Sequence, residues 1–321
     1  MSDGFNLRLR RPRPSVVACS PTLGALGAVN LMPACFAKED ALEAHIARSS
    51  RRRRAVSVLL RWLTYAAATV TAAVLLFVVG YILVRGVPAL TPDLFQWEYT
   101  SENVSLLPAL ASTVIMALLA LALAVPAGVG ASIYLVEYAR RGSRFVRLVR
   151  VTAETLQGIP SIIYGLFGML FFVTACGWGL SLLSGACTLA IMVLPVIMRT
   201  TEEAIRAVPR YIRWGAYGLG ATKWQVVSKI VLPSAFGRIA TGIVLAIGRA
   251  IGETAVVLYT MGQAINLPIS PLDSGRPMTV HLYLLANDGI NMNAAYGTAL
   301  LLMVIILAFN LFARYLSRKR R

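Results

Sequence analysis

The feature that most constrains this chain is a set of long stretches without any charged residue. Four of them contain no Asp, Glu, Lys or Arg: residues 62–84, 103–136, 155–198 and 289–313. A fifth, residues 239–263, contains only Arg249 and Glu253. About 20 apolar residues are enough for a helix to cross a bilayer, so the stretch 155–198 can cross twice, with a turn at Gly177-Trp178-Gly179. The sequence therefore predicts an all-α polytopic membrane protein with six transmembrane helices.

The distribution of charge predicts how these helices are oriented. Only 14% of the 321 residues are charged, whereas soluble domains have roughly a quarter. The net charge of +17 would suggest nucleic acid in a soluble protein, but 28 of the 31 Lys and Arg residues fall in four segments. These are the N-terminal tail, the loops after the second and fourth predicted spans, and the C-terminal tail. Because cytoplasmic loops collect Lys and Arg, both termini are predicted to be cytoplasmic, and no nucleic-acid partner is expected.

The pattern also divides the chain into regions. The predicted spans lie at about residues 58–84, 107–136, 155–176, 179–198, 239–262 and 291–313. Residues 1–55 are basic and predicted to be a disordered cytoplasmic tail, and residues 56–321 form the transmembrane domain. The two segments facing the other side, residues 85–106 and 264–287, are too short to form a solute-binding domain. If the protein moves a solute that must first be captured, another chain captures it.

Few residues of the chain are suited to metal binding or catalysis. The four cysteines form no CxxC pair and have no neighbouring His, so neither a metal nor another cofactor is expected. The two histidines, His45 and His281, are predicted to be ordinary surface residues. A membrane-embedded enzyme would need a nucleophile, a base or metal ligands, and no catalytic residue is predicted.

The segment 199–238 is the longest cytoplasmic loop. It is amphipathic, and Thr201 followed by two glutamates is typical of a helix start. The pattern then predicts a short helix at residues 212–219, a turn at Gly220, and a second helix from near Thr222 to Leu232-Pro233. Such a loop can couple movement between a cytoplasmic motor and the membrane domain, or it can lie as a solvated helix on the lipid headgroups.

Two charges in the fifth predicted span, Arg249 and Glu253, require an explanation. A charge at the centre of a bilayer costs about 2.5–3.5 kcal/mol on insertion scales. The i, i+4 spacing places both side chains on one face of a helix, where they can pair. The pair can fasten the helix bundle, or Arg249 can contact an anionic solute while Glu253 orients it, because the guanidinium fork matches an oxyanion. The residues alone favour neither interpretation.

Two groups of motifs resemble a known family. Gly220, nine residues, and then Ile230-Val231-Leu232-Pro233 are similar to the cytoplasmic loop of ABC importer permeases, although Trp214-Gly215-Ala216 replaces the Glu-Ala-Ala of that loop. Residues 248–254 (GRAIGET) and 158–165 (GIPSIIYG) resemble segments of the phosphate-specific permeases. The resemblance covers about residue 107 to the C-terminus and is stronger to the A-type subunit than to its C-type partner.

The resemblance implies a type I ABC importer permease fold and a function. This chain would form half of the translocation pathway of an ATP-driven phosphate importer, in the plasma membrane of a bacterium. Its partners would be a second permease, an ATPase dimer, an extracytoplasmic phosphate-binding protein and the lipid bilayer. The implied pathway residues are Arg249, Glu253, Thr254 and Ser161. The implied ATPase-coupling residues are Ala216, Gly220, Ala221, Ile230, Leu232 and Pro233.

Other functions stay open at this point. A permease for sulfate or molybdate would share the loop and the fold. A simple anion channel would need neither the loop nor an ATPase. The chain contains no GxxxxGK[ST] phosphate-binding loop, so ATP hydrolysis is predicted to occur on a separate chain.

Overall fold

The chain is almost entirely helical in the part that the structure describes. This computed structural model describes the backbone of residues 28–100, 103–140, 142–289 and 291–319, and side chains between residues 56 and 315. The α-helices of the described chain are α1 (Ala28–Ala89), α2 (Leu107–Ile133), α3 (Arg144–Gly158), α4 (Ser161–Gly168), α5 (Leu182–Arg206), α6 (Arg210–Gly218), α7 (Lys223–Val226), α8 (Leu232–Gly252), α9 (Ala255–Thr260), α10 (Met278–Asn287) and α11 (Met292–Lys319). Three π-helical turns extend or join them, at Tyr134–Tyr138, Met169–Ala175 and Val227–Val231, and a 3₁₀ turn occupies Pro92–Phe95.

The helices agree with six spans. Five helical segments are long and apolar enough to cross a membrane: Val56–Ala89, Leu107–Tyr138, Leu182–Arg206, Lys223–Gly252 and Met292–Tyr315. The helices α3 and α4, with the π-turn that follows α4, are together also long and apolar enough to cross a membrane. Counted as one broken span, this pair gives the predicted total of six, and an even number places both termini on the same side.

The third span differs from its prediction because it is broken. We expected one helix over residues 155–176, but α3 ends at Gly158 and α4 starts at Ser161, with a bend of 102° between the two. Pro160 explains the break: it has no N–H to donate, and it disfavours helical geometry at Ile159, which is extended. The part of the span beyond the bend runs from Ser161 to Ala175.

The fifth span is also broken, and it starts earlier than predicted. The second helix of the cytoplasmic loop does not end at Leu232-Pro233 but continues through a π-turn into α8. The π-turn ends two residues before Pro233, so the changed hydrogen-bond register accommodates the missing proline N–H. At the other end, Glu253 is extended and Thr254 precedes the short helix α9.

The cytoplasmic end of the fourth span extends further than expected. Thr201 is buried inside α5 instead of starting a new helix, and α5 ends at Arg206. The adjacent Glu202 and Glu203 pair with arginines, at Arg206 and Arg199 respectively, within the same helix. These i, i+4 pairs favour continuation of the helix through the segment.

Helix α5 is the centre of the bundle. Of its most apolar stretch, 67% of the residues are buried, and the helix packs against both α2 and α8. On one side of it, α4 packs against α9, so that the outer halves of the two broken spans are neighbours. Gly165 permits this approach, since a Cβ atom there would lie only 2.9 Å from the carbonyl oxygen of Ala255.

The N-terminal unit comprises residues 1–76. Residues 1–27 of the predicted tail lie outside the described residues. The backbone of residues 28–55, which we also assigned to the tail, belongs to helix α1. Residues 37–55 are rich in Ala, Glu and Arg, which are good helix formers.

The second outer segment contains a buried helix, which makes the prediction for His281 wrong. His281 lies on α10 and is only 1% exposed, with its ring edge-on to Tyr99. The Met278 N–H, at the start of α10, donates to Thr113 Oγ1 (2.8 Å), so this helix is inserted beside α2. Burial, together with the positive charge of Arg276, lowers the pKa of His281 to about 4. The imidazole is therefore neutral at pH 7. The side chain of His45 lies outside the described residues.

Candidate translocation pathway and coupling loop

The breaks in the third and fifth spans meet at one place. Ser161 is the first residue of α4, and Glu253 lies between α8 and α9. The hydroxyl of Ser161 interacts with the carboxyl group of Glu253, and α4 packs against α9 directly beyond this contact. Two segments that lie about 90 residues apart in the sequence thus form one polar site inside the helix bundle.

Arg249 and Glu253 form an ion pair at this site. Arg249 Nε lies 3.7 Å from Glu253 Oε1, which is longer than a hydrogen bond. The Glu253 side chain is 14% exposed and the Arg249 side chain is 40% exposed. Because Glu253 has left the helix, the two residues are not held by a continuous helical turn. The low exposure of Glu253 means that its carboxylate is enclosed by protein. The more exposed guanidinium of Arg249 can still donate hydrogen bonds at the surface of the chain.

Neighbouring side chains stabilise the broken backbone. The end of α8 leaves carbonyl groups without helical partners, and the Glu253 carbonyl accepts a hydrogen bond from Thr279 Oγ1 (2.8 Å). Thr254 precedes α9, and its carbonyl accepts the N–H of Leu258 (2.9 Å). The structure thus brings together three of the four predicted pathway residues by contact, and Thr254 adjoins them along the chain.

Sequence reasoning missed two residues of this site. Thr279 comes from the outer segment that we took for a simple loop. Tyr164, on α4, is buried near Arg249, and its hydroxyl donates to the carbonyl of Leu156 (2.8 Å) across the Pro160 break. Tyr164 lies within the GIPSIIYG string, so the motif could have pointed to it. Nothing in the sequence indicates the contact of Thr279 with Glu253.

The cytoplasmic loop has the predicted helix–turn–helix form. Helix α6 ends before Gly220, which has a φ of +83°, a conformation that favours glycine. Thr222 then starts α7 with a capping box, in which its hydroxyl accepts the Gln225 N–H and the Gln225 side chain accepts the Thr222 N–H. The turn is therefore fixed on both sides.

Most of the predicted coupling residues face the protein. Ala216, which is buried, packs with Ala221, Ile230 and Leu232 in one apolar cluster beneath the loop. Pro233 lies in the first turn of α8. These residues hold the shape of the loop, and so does Gly220 through its backbone conformation.

The opposite surface of the loop carries large apolar side chains that sequence reasoning did not single out. Four of them are mostly exposed, and we call them the aromatic patch: Tyr211 (71%), Trp214 (68%), Leu219 (91%) and Trp224 (66%). Large exposed apolar groups gathered on one surface mark a contact with a partner or a membrane. Trp214 stands in the position where the Glu-Ala-Ala motif would begin.

No group of three or more His, Cys, Asp or Glu side chains that could hold a metal ion occurs among the described residues.

Comparison with known proteins identifies the family. Residues 124–321 match the family described as binding-protein-dependent transport system inner membrane component. This chain belongs to that family. The matched region contains both breaks, the Arg249–Glu253 pair and the whole coupling loop. As an inner membrane component of this family, the chain is a multi-pass transport subunit and not itself an enzyme.

Several relatives of this chain are named as permease proteins of transport systems. The chain is 33% identical over 271 residues to the probable ABC transporter permease protein YqgI of Bacillus subtilis, covering 78% of this chain and 91% of the relative. It is 31% identical over 281 residues to the phosphate transport system permease protein PstA of Haemophilus influenzae, covering 84% of this chain and 96% of the relative. The predicted resemblance to A-type permeases is confirmed.

Solved structures confirm the fold. The crystal structure of a bacterial ABC transporter involved in the import of the acidic polysaccharide alginate has a chain that matches 80% of this one with a TM-score of 0.56. The match covers 96% of that chain at 17% sequence identity, and thus supports the fold alone. The predicted ABC importer permease fold is therefore confirmed.

Proposed function

We propose that this chain is the A-type permease subunit of an ATP-driven phosphate importer and forms half of its translocation pathway. The observation that carries this proposal is a half-exposed guanidinium inside a broken span of a transport subunit, with its carboxylate partner enclosed behind it. The relatives named for phosphate transport support the choice of solute. Phosphate offers several oxygens to a guanidinium fork.

In this proposal Arg249 contacts the anion when the pathway is open. A charge in the membrane domain is costly unless it is paired, and Glu253 supplies the pairing charge when no anion is bound. The 3.7 Å separation leaves room for the guanidinium to turn towards a phosphate oxygen without breaking a tight bidentate contact. Ser161 and Thr254 provide hydroxyl groups beside the pair, and neutral hydrogen bonds of this kind can complete the shell of an oxyanion.

The solute can be tested by uptake into proteoliposomes that contain the transporter with its binding protein. We expect ATP-dependent accumulation of ³²P-phosphate that a tenfold excess of sulfate or molybdate leaves largely unchanged. Liposomes without ATP serve as the control for leakage. ATP-driven uptake of sulfate or molybdate instead, with phosphate ignored, would show that the chain belongs to an importer of another oxyanion.

The coupling loop is proposed to dock on the ATPase through its aromatic patch. Tyr211 and Trp214 lie on the face of α6 that points away from the bundle, and Leu219 is at the tip of the turn. The inward residues of the loop pack on the ends of the spans, so a push on the patch is passed to α5 and α8 as a rigid body. Trp and Tyr are the side chains enriched at the energetic centres of protein interfaces.

The double variant Trp214→Ser with Leu219→Ser is expected to lose the ATPase subunit on co-purification. Truncating a central interface residue costs about 2 kcal/mol or more, so the loss of even one such contact should weaken binding by at least about 30-fold. The matched control is Trp97→Ser with Leu272→Ser, since both side chains are similarly exposed but belong to the outer segments. Recovery of the ATPase at the wild-type level with the loop variant would contradict docking at the patch.

The remaining partners follow from this assignment. The family depends on a binding protein, which is proposed to be an extracytoplasmic phosphate-binding protein, because the outer segments of this chain are short. A second permease, similar but not identical to this chain, would complete the pathway, and an ATPase dimer would bind below. The location is proposed to be the plasma (inner) membrane of a bacterium.

A further inference from the structure

Five arginines converge on one cleft at the cytoplasmic end of the bundle. The cleft lies between the π-turn that ends the second span, the start of α3, the end of α5 and the start of α6. Its volume is about 370 Å³, within the range of ~300–1,000 Å³ that small-molecule sites occupy. The arginines that line it are Arg140, Arg150, Arg206, Arg210 and Arg213. We call it the basic cleft.

Ion pairs with two largely buried carboxylates hold three of the arginines in place. Glu202 pairs with both Arg150 (2.6 Å) and Arg206 (2.5 Å), and its side chain is only 15% exposed. Glu137 pairs with Arg213 (3.2 Å) and is 7% exposed. Neither carboxylate lines the basic cleft: Glu137 and Glu202 line two neighbouring cavities. The carboxylates thus fix three guanidiniums, and all the charged side chains among the described residues that line the cleft are positive.

The charges in and around the cleft do not balance. Among the described residues, five guanidiniums line the cleft and two carboxylates pair with them, which leaves a surplus of three positive charges. Within the described part of the chain, no carboxylate lies within 4.0 Å of Arg140 or Arg210. In addition, Arg213 Nε is a buried donor with no hydrogen-bond partner, and the acceptor Oε1 of the neighbouring Glu137 is likewise buried without one. A concave site with unpaired guanidiniums and a spare buried donor attracts an anion.

The arrangement differs from the general excess of Lys and Arg on cytoplasmic loops. On α6, Tyr211 and Trp214 are mostly exposed, whereas the side chain of Arg213 is only 16% exposed. Arg210 precedes Arg213 by three residues and therefore shares its face. Arg150 and Arg213 are partly buried at the cavity, whereas charges that only determine topology can remain fully solvated.

We propose that the basic cleft binds a phosphate-type oxyanion at the cytoplasmic face. Several guanidinium forks around one cavity match the tetrahedral oxygens of a phosphoryl group better than the single carboxylate or chloride that each Arg could bind alone. Two sources present this chemistry at the cleft: inorganic phosphate in the cytoplasm, and the headgroup of an anionic phospholipid in the inner leaflet. This site is separate from the Arg249 site and does not depend on the proposed solute.

Binding of inorganic phosphate can be measured by equilibrium dialysis. The transporter is purified in detergent through a tag on this chain, without its soluble binding protein, and titrated with ³²P-phosphate at constant ionic strength. The Arg249→Gln background removes any contribution of the pathway site. The cleft variant is Arg140→Gln with Arg210→Gln, because neither Arg has a carboxylate partner that its loss would leave unpaired. The control, Lys229→Gln with Arg238→Gln, removes the same charge from exposed positions outside the cleft.

Binding of a phospholipid is measured on the same variants in nanodiscs. Thermal stability is compared between discs of pure phosphatidylcholine and discs that contain phosphatidylglycerol. If the anion is inorganic phosphate, dialysis should give phosphate affinity at least about tenfold weaker for the cleft variant than for the control. If it is a headgroup, phosphatidylglycerol should raise the melting temperature of the control and not that of the cleft variant. Equal behaviour of the two variants in both measurements would overturn the proposal.

Discussion

Replacing Arg249 by Gln is expected to lower ATP-dependent phosphate uptake by about 10- to 100-fold while the transporter still assembles. Hydrogen bonds to a charged group contribute about 1.5–3 kcal/mol, and the neutral Gln amide cannot supply the charge. Arg249→Lys keeps the charge but loses the planar fork, so an intermediate rate is expected. The rate of uptake into proteoliposomes at saturating ATP is the measurement.

The competing interpretation is that Arg249 and Glu253 only fasten the bundle. The double variant Arg249→Gln with Glu253→Gln separates the two roles, because it leaves neither charge unpaired in the membrane domain. A purely structural pair predicts that the double variant recovers both assembly and uptake. A pathway role predicts that assembly is retained and that uptake stays low. Uptake at the wild-type level in the double variant would therefore exclude Arg249 as an anion contact.

The sequence was sufficient for the topology because the bilayer imposes a strong constraint. Every span must hide about 20 residues from water, and the absence of charge shows directly where this occurs. The Arg–Glu pair was found for the same reason, as an exception to that rule. The helix–turn–helix form of the cytoplasmic loop was predicted from the residues around Gly220, which reflect local backbone requirements. All these properties depend on residues close together in the chain.

The sequence was not sufficient where a tertiary contact decides the outcome. Glu253 leaves the helix between Gly252 and Thr254, which are weak helix formers, but the hydrogen bond from Thr279 that stabilises the break comes from 26 residues away. His281 was expected at the surface because it lies in a predicted outer loop. Its burial depends on insertion of α10 beside α2, which no local pattern indicates.

A second limit was that the sequence did not show which surface of the cytoplasmic loop is exposed. The motif residues were assigned to ATPase coupling; Ala216 and Ile230 pack inward, and the aromatic patch is the surface that remains exposed. A spacing motif records which residues a loop needs to keep its shape as well as those that touch a partner. A single sequence does not distinguish the residues that keep the shape of the loop from those that contact a partner.

The ion pair between Glu137 and Arg213 predicts the second large effect. Glu137 lies in the π-turn that ends the second span, and Arg213 lies on the inner face of α6. Their side chains are 7% and 16% exposed, and Arg213 Nη2 also donates to the carbonyl of Ile205 (2.6 Å) at the end of the fourth span. One guanidinium therefore ties the coupling helix to two spans.

Arg213→Gln is expected to uncouple transport from ATP hydrolysis. Removing one partner of a buried pair costs about 3–5 kcal/mol, because Glu137 is left as an unpaired charge, and α6 loses its attachment to the spans. The ATPase can still bind the exposed aromatic patch, so hydrolysis should continue while uptake falls by at least about tenfold. The quantity to measure is the number of phosphate ions transported per ATP hydrolysed.

Two further variants test whether the pair itself transmits the movement. Arg199→Gln breaks the exposed pair with Glu203, whose side chains are 62% and 67% exposed, and it should leave the ratio unchanged, since such pairs contribute about 0–1 kcal/mol. Glu137→Gln with Arg213→Gln removes both buried charges and should restore thermal stability. If α6 transmits movement through the ion pair, this double variant stays uncoupled despite its regained stability. A ratio restored along with stability would show that the pair serves folding alone.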